Sequence, residues 1–235
     1  YLPYIRSDGV QSLIDLILGI RENDQIDVSK FDYIIKAIIS KPKNISSKDY
    51  YISICDQLYN LLISIDKPIS TTISAHIIEK LYLKNSAIIR DFIFKKIWNC
   101  FNPSVNHSNN ENDSSLVLTT AFDLNNSFNA CLSLIRNCSS SDFLVKLFDP
   151  LITPLWCFMA FLKKNSNNNN NNNNKSLSYK VVEEIFIILF SIVSDSSEMS
   201  NLLMDQIYNS VISFNRSDWE FAKDTKNLTY IKEVV

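Results

Sequence analysis

Apolar residues recur along this chain at intervals of three and four, the spacing that places side chains on one face of an α-helix. The clearest stripe consists of Tyr51, Ile54, Cys55, Leu58, Leu61, Leu62 and Ile65. The opposite face carries the polar residues Asp49, Ser53, Asp56, Gln57 and Asn60. Ser46 followed by Asp49 is a capping-box start signal, and Lys41-Pro42 disfavours continuation of a preceding helix. The pattern therefore predicts a helix from Ser47 to Ser64 with the Tyr51 side buried.

The same periodicity predicts further helices that are separated by short polar turns. They are expected over residues 9–20, 29–39, 70–83, 86–101, 116–135, 142–148, 155–164, 178–193 and 197–214. In the helix over 70–83 the inward residues are expected to be Ile73, Ile77, Ile78, Leu81 and Tyr82. No run shows the convincing two-residue alternation of a strand, and the residues after Trp219 carry no clear signal. The chain is therefore predicted to be all-α.

Two polar stretches interrupt this pattern. Residues 102–115 have almost no apolar anchor, and residues 167–174 are an uninterrupted run of asparagine. Neither stretch can bury enough apolar surface to offset the entropy lost on ordering. We predict a disordered loop at 102–115 and a polyasparagine linker at 165–176.

About nine or ten helices joined in sequence by short turns favour an antiparallel stack, a HEAT/armadillo-like alpha-solenoid with two disordered insertions. Residues 1–235 would form a single helical-repeat segment of a larger protein, because the chain starts at Tyr1 rather than Met. No clean internal repeat stands out, so a compact irregular bundle is the alternative.

Composition supports helices and narrows the possible chemistry. The chain has only two glycines, which leaves little material for hairpin turns or phosphate-binding loops. Its 23 Lys and Arg are scattered among 25 Asp and Glu, so no basic field attracts a nucleic acid. The most apolar stretches, 151–162 and 185–193, are shorter than the ~20 residues needed to cross a bilayer. We expect no nucleic-acid partner and no membrane span in this region.

No arrangement of residues in the sequence suggests a catalytic, cofactor or metal site. His76 and His107 have no Cys, Asp or Glu at ligand spacing, and no CxxC pair exists. Glu183 and Glu184 are neighbours on a helix and point about 100° apart, so they cannot share a substrate. The five cysteines are odd in number and lie in apolar runs, which predicts buried thiols and a reducing compartment. The chain is therefore predicted not to be an enzyme and to need no cofactor.

One stretch resembles the transport and Golgi organisation protein family, member six. The resemblance begins at Lys36-Ala37-Ile38-Ile39-Ser40-Lys41-Pro42 and covers residues 9–65. Its motif continues in three residue pairs after the proline turn: Tyr50 and Tyr51, Ile54 and Cys55, and Gln57 and Leu58. Between Thr71 and Lys84 the sequence diverges from the pattern that the family leads us to expect.

The resemblance implies a large armadillo-like scaffold that has no catalytic residues. It implies a role in protein secretion and Golgi organisation or, as the alternative, in assembly and nuclear import of RNA polymerase II. Partners would be secretory-pathway components or polymerase assembly components, and the protein would be cytoplasmic, associated with the Golgi or shuttling to the nucleus.

Two further alternatives stay open. A helical enzyme or lipid-binding module would use a pocket between helices, which the scattered polar residues disfavour. Tyr50 and Tyr51 most simply pack between helices, and a partner-binding anchor is the other interpretation.

Overall fold

The fold is largely helical, as the periodicity predicts. The computed structural model describes residues 4, 6–19, 28–64, 66–103, 117–166, 179–193, 201, 204–205, 208, 218–226 and 228–234. Its helices are α1 (Gly9–Leu18), α2 (Val28–Ile39), α3 (Ser47–Leu62), α4 (Pro68–Lys84), α5 (Ser86–Ile89), α6 (Lys95–Phe101), α7 (Ala121–Asn137), α8 (Ser141–Phe148), α9 (Ile152–Ser166) and α10 (Tyr179–Val193). A π-helical turn (Arg90–Phe94) joins α5 to α6, and a 3-10 turn (Asp149–Leu151) joins α8 to α9.

A small antiparallel sheet corrects the expectation that the chain has no strands. Its strands are β1 (Val117–Thr119), β2 (Trp219–Lys223) and β3 (Thr229–Glu233), in the order β1-β3-β2. Strand β1 takes the first residues of the helix predicted over 116–135, which begins instead at Ala121. Strands of three to five residues are too short to show a clear alternation, and β1 pairs with residues more than a hundred positions away.

Two helices begin or end at residues that differ from the predicted boundaries, and local chemistry explains the difference. Helix α4 starts at Pro68, where the missing N–H would have had no helical partner in any case. Helix α1 ends at Leu18 because Gly19 adopts a positive φ of 74°, and the Gly19 N–H bonds to Asp15 O. Ser46 is the N-cap residue of α3 as predicted, although its side chain makes no capping hydrogen bond.

Several predictions fall outside the described residues. They are most of the helix predicted over 197–214, the loop from residue 104, the linker from residue 167, and the positions of Ile65 and His107. Asn165 and Ser166 are described, and they belong to helix α9 rather than to the predicted linker.

The described residues form two compact units. The first lies within 1–96 and 129–143, and the second within 97–128 and 144–235. In the first unit α4 packs against α2 and α3 and is buried on most of its sides, as expected for a central helix. The inward residues predicted for α4 are all buried: Ile73, Ile77, Ile78, Leu81 and Tyr82.

Aromatic rings fill much of each core. In the first unit Tyr82, Phe94 and Phe143 have ring centroids 5.2–5.8 Å apart. In the second unit Phe158 is fully buried and contacts Phe221 of strand β2, with 5.0 Å between ring centroids. The sheet therefore contributes to a core that is otherwise helical.

Residues 141–165 form one continuous helical segment through α8, the 3-10 turn and α9. By length and composition alone this segment could cross a membrane, and 56% of its most apolar window is buried. Burial of that kind is typical of a core helix in a globular protein. The segment is longer than the apolar stretch 151–162 considered in the sequence, because helix continues on both sides of Pro154, which lies in the first turn of α9, where proline is tolerated.

Candidate functional site

All six family-motif residues on α3 lie inside the first unit. Ile54, Cys55 and Leu58 are fully buried, and the exposed fractions of Tyr50, Tyr51 and Gln57 are 2%, 8% and 7%. The rings of Tyr50 and Tyr51 meet edge to face, with 5.3 Å between centroids. The tyrosine pair therefore packs between helices, as the simpler interpretation held.

Tyr50 ties α3 to the end of α2. Its hydroxyl donates a 2.6 Å hydrogen bond to the carbonyl of Ile38, one of the last four carbonyls of α2, which have no partner within their own helix. Burial raises the pKa of Tyr50 to about 12, with a smaller contribution from Tyr51. The hydroxyl, which any tyrosine keeps protonated at neutral pH, therefore remains a donor into the alkaline range as well.

Gln57 corrects the prediction that this residue belongs to the polar face of α3. Its side-chain Oε1 accepts a 2.9 Å hydrogen bond from the Val10 N–H in the first turn of α1. Asp8, the N-cap residue of α1, makes no side-chain capping bond, so Gln57 supplies an acceptor from a neighbouring helix. The signal was present, because Gln57 lies three residues after Ile54 and seven after Tyr50, on the same side of the helix.

Glu79 is a buried carboxylate that sequence reasoning did not select. Its Oε1 accepts hydrogen bonds from the backbone N–H groups of Ser139 and Ser140, at 2.7 and 2.6 Å. These two residues form the turn between α7 and α8, so Glu79 fixes that turn against α4. The other carboxylate oxygen lies 3.9 Å from His76 Nδ1, three residues earlier on the same helix. The prediction that no acidic residue lies at ligand spacing from His76 is therefore wrong, although these two side chains have no third metal ligand among the described residues. The sequence does contain a sign that Glu79 is buried, because it follows Ile78 directly and lies four residues after Ala75, on the buried side of α4.

The cysteines are thiols, and four of the five are buried as predicted, while Cys100 is half-buried. Burial raises the pKa of Cys55 and of Cys157 to about 12 and raises the pKa of Cys138 as well. Because the thiolate is the reactive form, these three side chains act as small hydrophobic residues.

The described part of the chain holds no group of three or more His, Cys, Asp and Glu side chains placed to bind a metal ion. Tyr50, Gln57 and Glu79 use the hydrogen bonds described above to join neighbouring helices. Large apolar side chains that are mostly exposed instead offer contact area, namely Leu16, Tyr33, Leu83, Phe122 and Ile187. The exposed surfaces of the helices are therefore the part of this structure that other molecules can contact.

Comparison with known proteins agrees with this picture. The ARM-like repeat of the family described as Transport and Golgi organization protein 6 homolog matches residues 4–206. The chain belongs to this family. The match extends far beyond residues 9–65. The ARM-like pattern therefore includes α4, where the sequence diverges from the expected family pattern.

A curated relative of this ARM-like chain is the RNA polymerase II assembly factor RTP1 of Saccharomyces cerevisiae. The two are 36% identical over 170 residues, which is 67% of this chain and 16% of the yeast protein. This chain therefore spans only a small part of that relative's length. No solved structure matches the chain.

Proposed function

We propose that this chain is a non-catalytic part of a helical-repeat scaffold that binds other proteins through its surface. The ARM-like repeat match over residues 4–206 carries this proposal. The buried contacts of Tyr50, Gln57 and Glu79 support it, since they hold helices together instead of facing a substrate. Repeat folds of this kind present an extended surface to their partners.

Two cellular roles follow from the comparisons. The family description supports a role in transport and Golgi organisation, and the name of the yeast relative supports assembly of RNA polymerase II. The resemblance noted in the sequence adds protein secretion to the first role and nuclear import of the polymerase to the second. The full-length protein would act in the cytoplasm in either role, with association to the Golgi in the first and passage to the nucleus in the second.

A rescue experiment separates these roles. Cells depleted of the full-length protein are supplied with wild type, Leu58→Asp or Asp56→Ala, and both secretion of a reporter and nuclear accumulation of polymerase subunits are measured. Leu58 is fully buried, so its replacement by a charge should destroy the first unit, whereas Asp56 is exposed and should tolerate alanine.

We expect Asp56→Ala to rescue and Leu58→Asp to fail, and the defect that appears identifies the role. Normal secretion and normal polymerase import in the Leu58→Asp cells would contradict both roles. Native mass spectrometry of the purified protein tests the enzyme and lipid-binding alternatives. A metal, nucleotide or lipid bound at unit stoichiometry would favour them over the scaffold.

A further inference from the structure

The solvent-facing side of α4 combines positive charge with apolar surface. Its residues follow helical spacing: Ile69, Thr72, His76, Lys80, Leu83 and Lys84. Lys80 and Lys84 are exposed and one helical turn apart, and the Leu83 side chain between them is 59% exposed. We call Ile69, His76, Lys80, Leu83 and Lys84 the α4 basic face.

This face lies in the most basic part of the chain. Residues 67–96 contain six Lys or Arg against two acidic residues, a net charge of +4, although the whole chain carries −2. One of the two acidic residues, Glu79, is 4% exposed and directs its Oε1 to the turn between α7 and α8. Its other oxygen, Oε2, lies 3.9 Å from His76 Nδ1 at the edge of this face, and among the described residues no ion pair joins Glu79 to Lys80 or Lys84.

Three other basic groups of residues 67–96 already have partners. Asp91 Oδ1 lies 2.9 Å from Lys95 Nζ and 3.7 Å from Arg90 Nε. Lys96 Nζ lies over the ring of Tyr59 and 3.5 Å from Asp56 Oδ1. Among the described residues, no ion pair or hydrogen bond engages the ammonium groups of Lys80 and Lys84. Two uncompensated charges therefore remain on this face.

We propose that the α4 basic face binds an acidic segment of a partner protein, an inference that rests on the proposed scaffold function. Side chains four residues apart on a helix lie about 5–6 Å apart, which suits two carboxylates one helical turn apart, or two residues apart in an extended peptide. An apolar side chain of the same segment contacts Leu83. Complementary charge gives this contact its selectivity and speed of association, and screening by salt weakens it.

A binding assay with a defined probe tests this proposal. The probe is a fluorescein-labelled peptide of about ten residues in which Asp and Glu alternate with Leu. Fluorescence anisotropy measures its binding to the full-length protein at about 50 mM and about 300 mM salt. The Lys80→Glu/Lys84→Glu variant is compared with Lys43→Glu/Lys48→Glu, which changes two other exposed lysines of the first unit and alters net charge equally.

We expect binding that weakens with salt and a Kd about tenfold higher for Lys80→Glu/Lys84→Glu, against less than about twofold for the control variant. Leu83→Ser should raise the Kd without changing its salt dependence. Melting curves should coincide, because all the changed side chains are exposed. Lack of saturable binding would overturn the proposal, and so would equal loss in both lysine variants. Equally tight binding of an RNA oligonucleotide of the same charge would also overturn it.

Capture of natural partners by the full-length protein separates this proposal from the scaffold function. If Lys80→Glu/Lys84→Glu captures the same proteins as wild type, the docking face is wrong and the scaffold function stands. If wild type captures proteins that this variant loses and the control retains, both are supported. If wild type captures none, the scaffold function fails together with the docking face.

Discussion

Two hydroxyl groups on α4 show how single hydrogen bonds act in this core. Thr71 Oγ1 donates to the carbonyl of Leu61 at 2.9 Å. Ser74 Oγ is fully buried and finds no hydrogen-bond partner within the described part of the chain. A buried hydrogen bond contributes about 1 kcal/mol, whereas an unsatisfied buried hydroxyl costs about 1–3 kcal/mol.

Alanine at these two sites should therefore have opposite effects. We expect Ser74→Ala to leave the free energy of unfolding unchanged or raise it by up to about 1 kcal/mol. Thr71→Ala should lower it by about 1–2 kcal/mol, while Thr71→Ser keeps the hydroxyl and should lose less. Urea unfolding of the three variants beside wild type measures this. Equal losses for Ser74→Ala and Thr71→Ala would show that Ser74 has a partner.

The buried hydroxyl of Tyr50 predicts a loss of stability in alkali. Its pKa is raised by burial from 10.0 to about 12, so between those values the unfolded chain loses the proton first. The folded state then binds more protons than the unfolded state, and stability falls as pH rises. The contribution is complete below pH 10 and is lost through pH 12, a change of about 3 kcal/mol.

Tyr50→Phe isolates this effect. The variant should lose about 1 kcal/mol at neutral pH, because the bond to Ile38 is gone, but should lose less additional stability in alkali. Tyr33→Phe is the matched control, since the Tyr33 side chain is 64% exposed. Unfolding free energies measured from pH 9 to about 12 decide the matter. The same alkaline slope in wild type and Tyr50→Phe would refute this account of Tyr50.

Polar side chains of one helix bond to backbone groups at the ends of neighbouring helices. Glu79 on α4 holds the α7–α8 turn, Gln57 on α3 supports the start of α1, and Tyr50 closes the end of α2. In each case a side chain from one helix satisfies backbone groups that a neighbouring helix leaves open. Each contact therefore joins two defined elements of the first unit.

Removal of the Glu79 carboxylate should loosen the α7–α8 turn. Glu79→Ala leaves the N–H groups of Ser139 and Ser140 without their acceptor and should lower the free energy of unfolding by about 2–4 kcal/mol. Glu79→Gln retains a carbonyl acceptor and should lose about half as much. Hydrogen exchange at these two amides should accelerate in the same order. Unchanged exchange in Glu79→Ala would mean that the turn does not depend on Glu79.

At the scale of the whole molecule, each compact unit is built from two separate stretches of the chain. The first unit is completed by residues 129–143, which follow a stretch of the second unit. Ser133 Oγ donates to the carbonyl of Leu62 at 2.8 Å, and Thr72 Oγ1 donates to Asn137 Oδ1 at 2.9 Å. The later half of α7 therefore depends on helices near the start of the chain.

This organisation predicts an asymmetric response to truncation. Removal of residues 1–96 should abolish hydrogen-exchange protection over 129–137, because the partners of Ser133 and Asn137 are lost. Removal of 218–235 deletes β2 and β3 from the second unit and should leave that protection largely intact. Exchange monitored by mass spectrometry distinguishes the two. Full protection over 129–137 after removal of 1–96 would contradict the assignment of these residues to the first unit.

The sequence alone determined the features that depend on local periodicity. It predicted α3 from Ser47 with its buried Tyr51 side, the inward residues of α4 and the burial of four of the five cysteines. It also supported the ARM-like family, whose match covers residues 4–206. These features are local because a helix repeats every 3.6 residues, so neighbouring positions are sufficient to define its buried face.

Only the tertiary structure decided the features that depend on distant partners. Gln57 bonds to a residue 47 positions away, Glu79 to residues about sixty positions away, and β1 to β3 across more than a hundred. No local pattern records such pairings, because a polar side chain has the same sequence signature whether it faces water or an open helix end. For the same reason Lys80 and Lys84 became a distinct surface only when the structure showed Glu79 turned inward beside them.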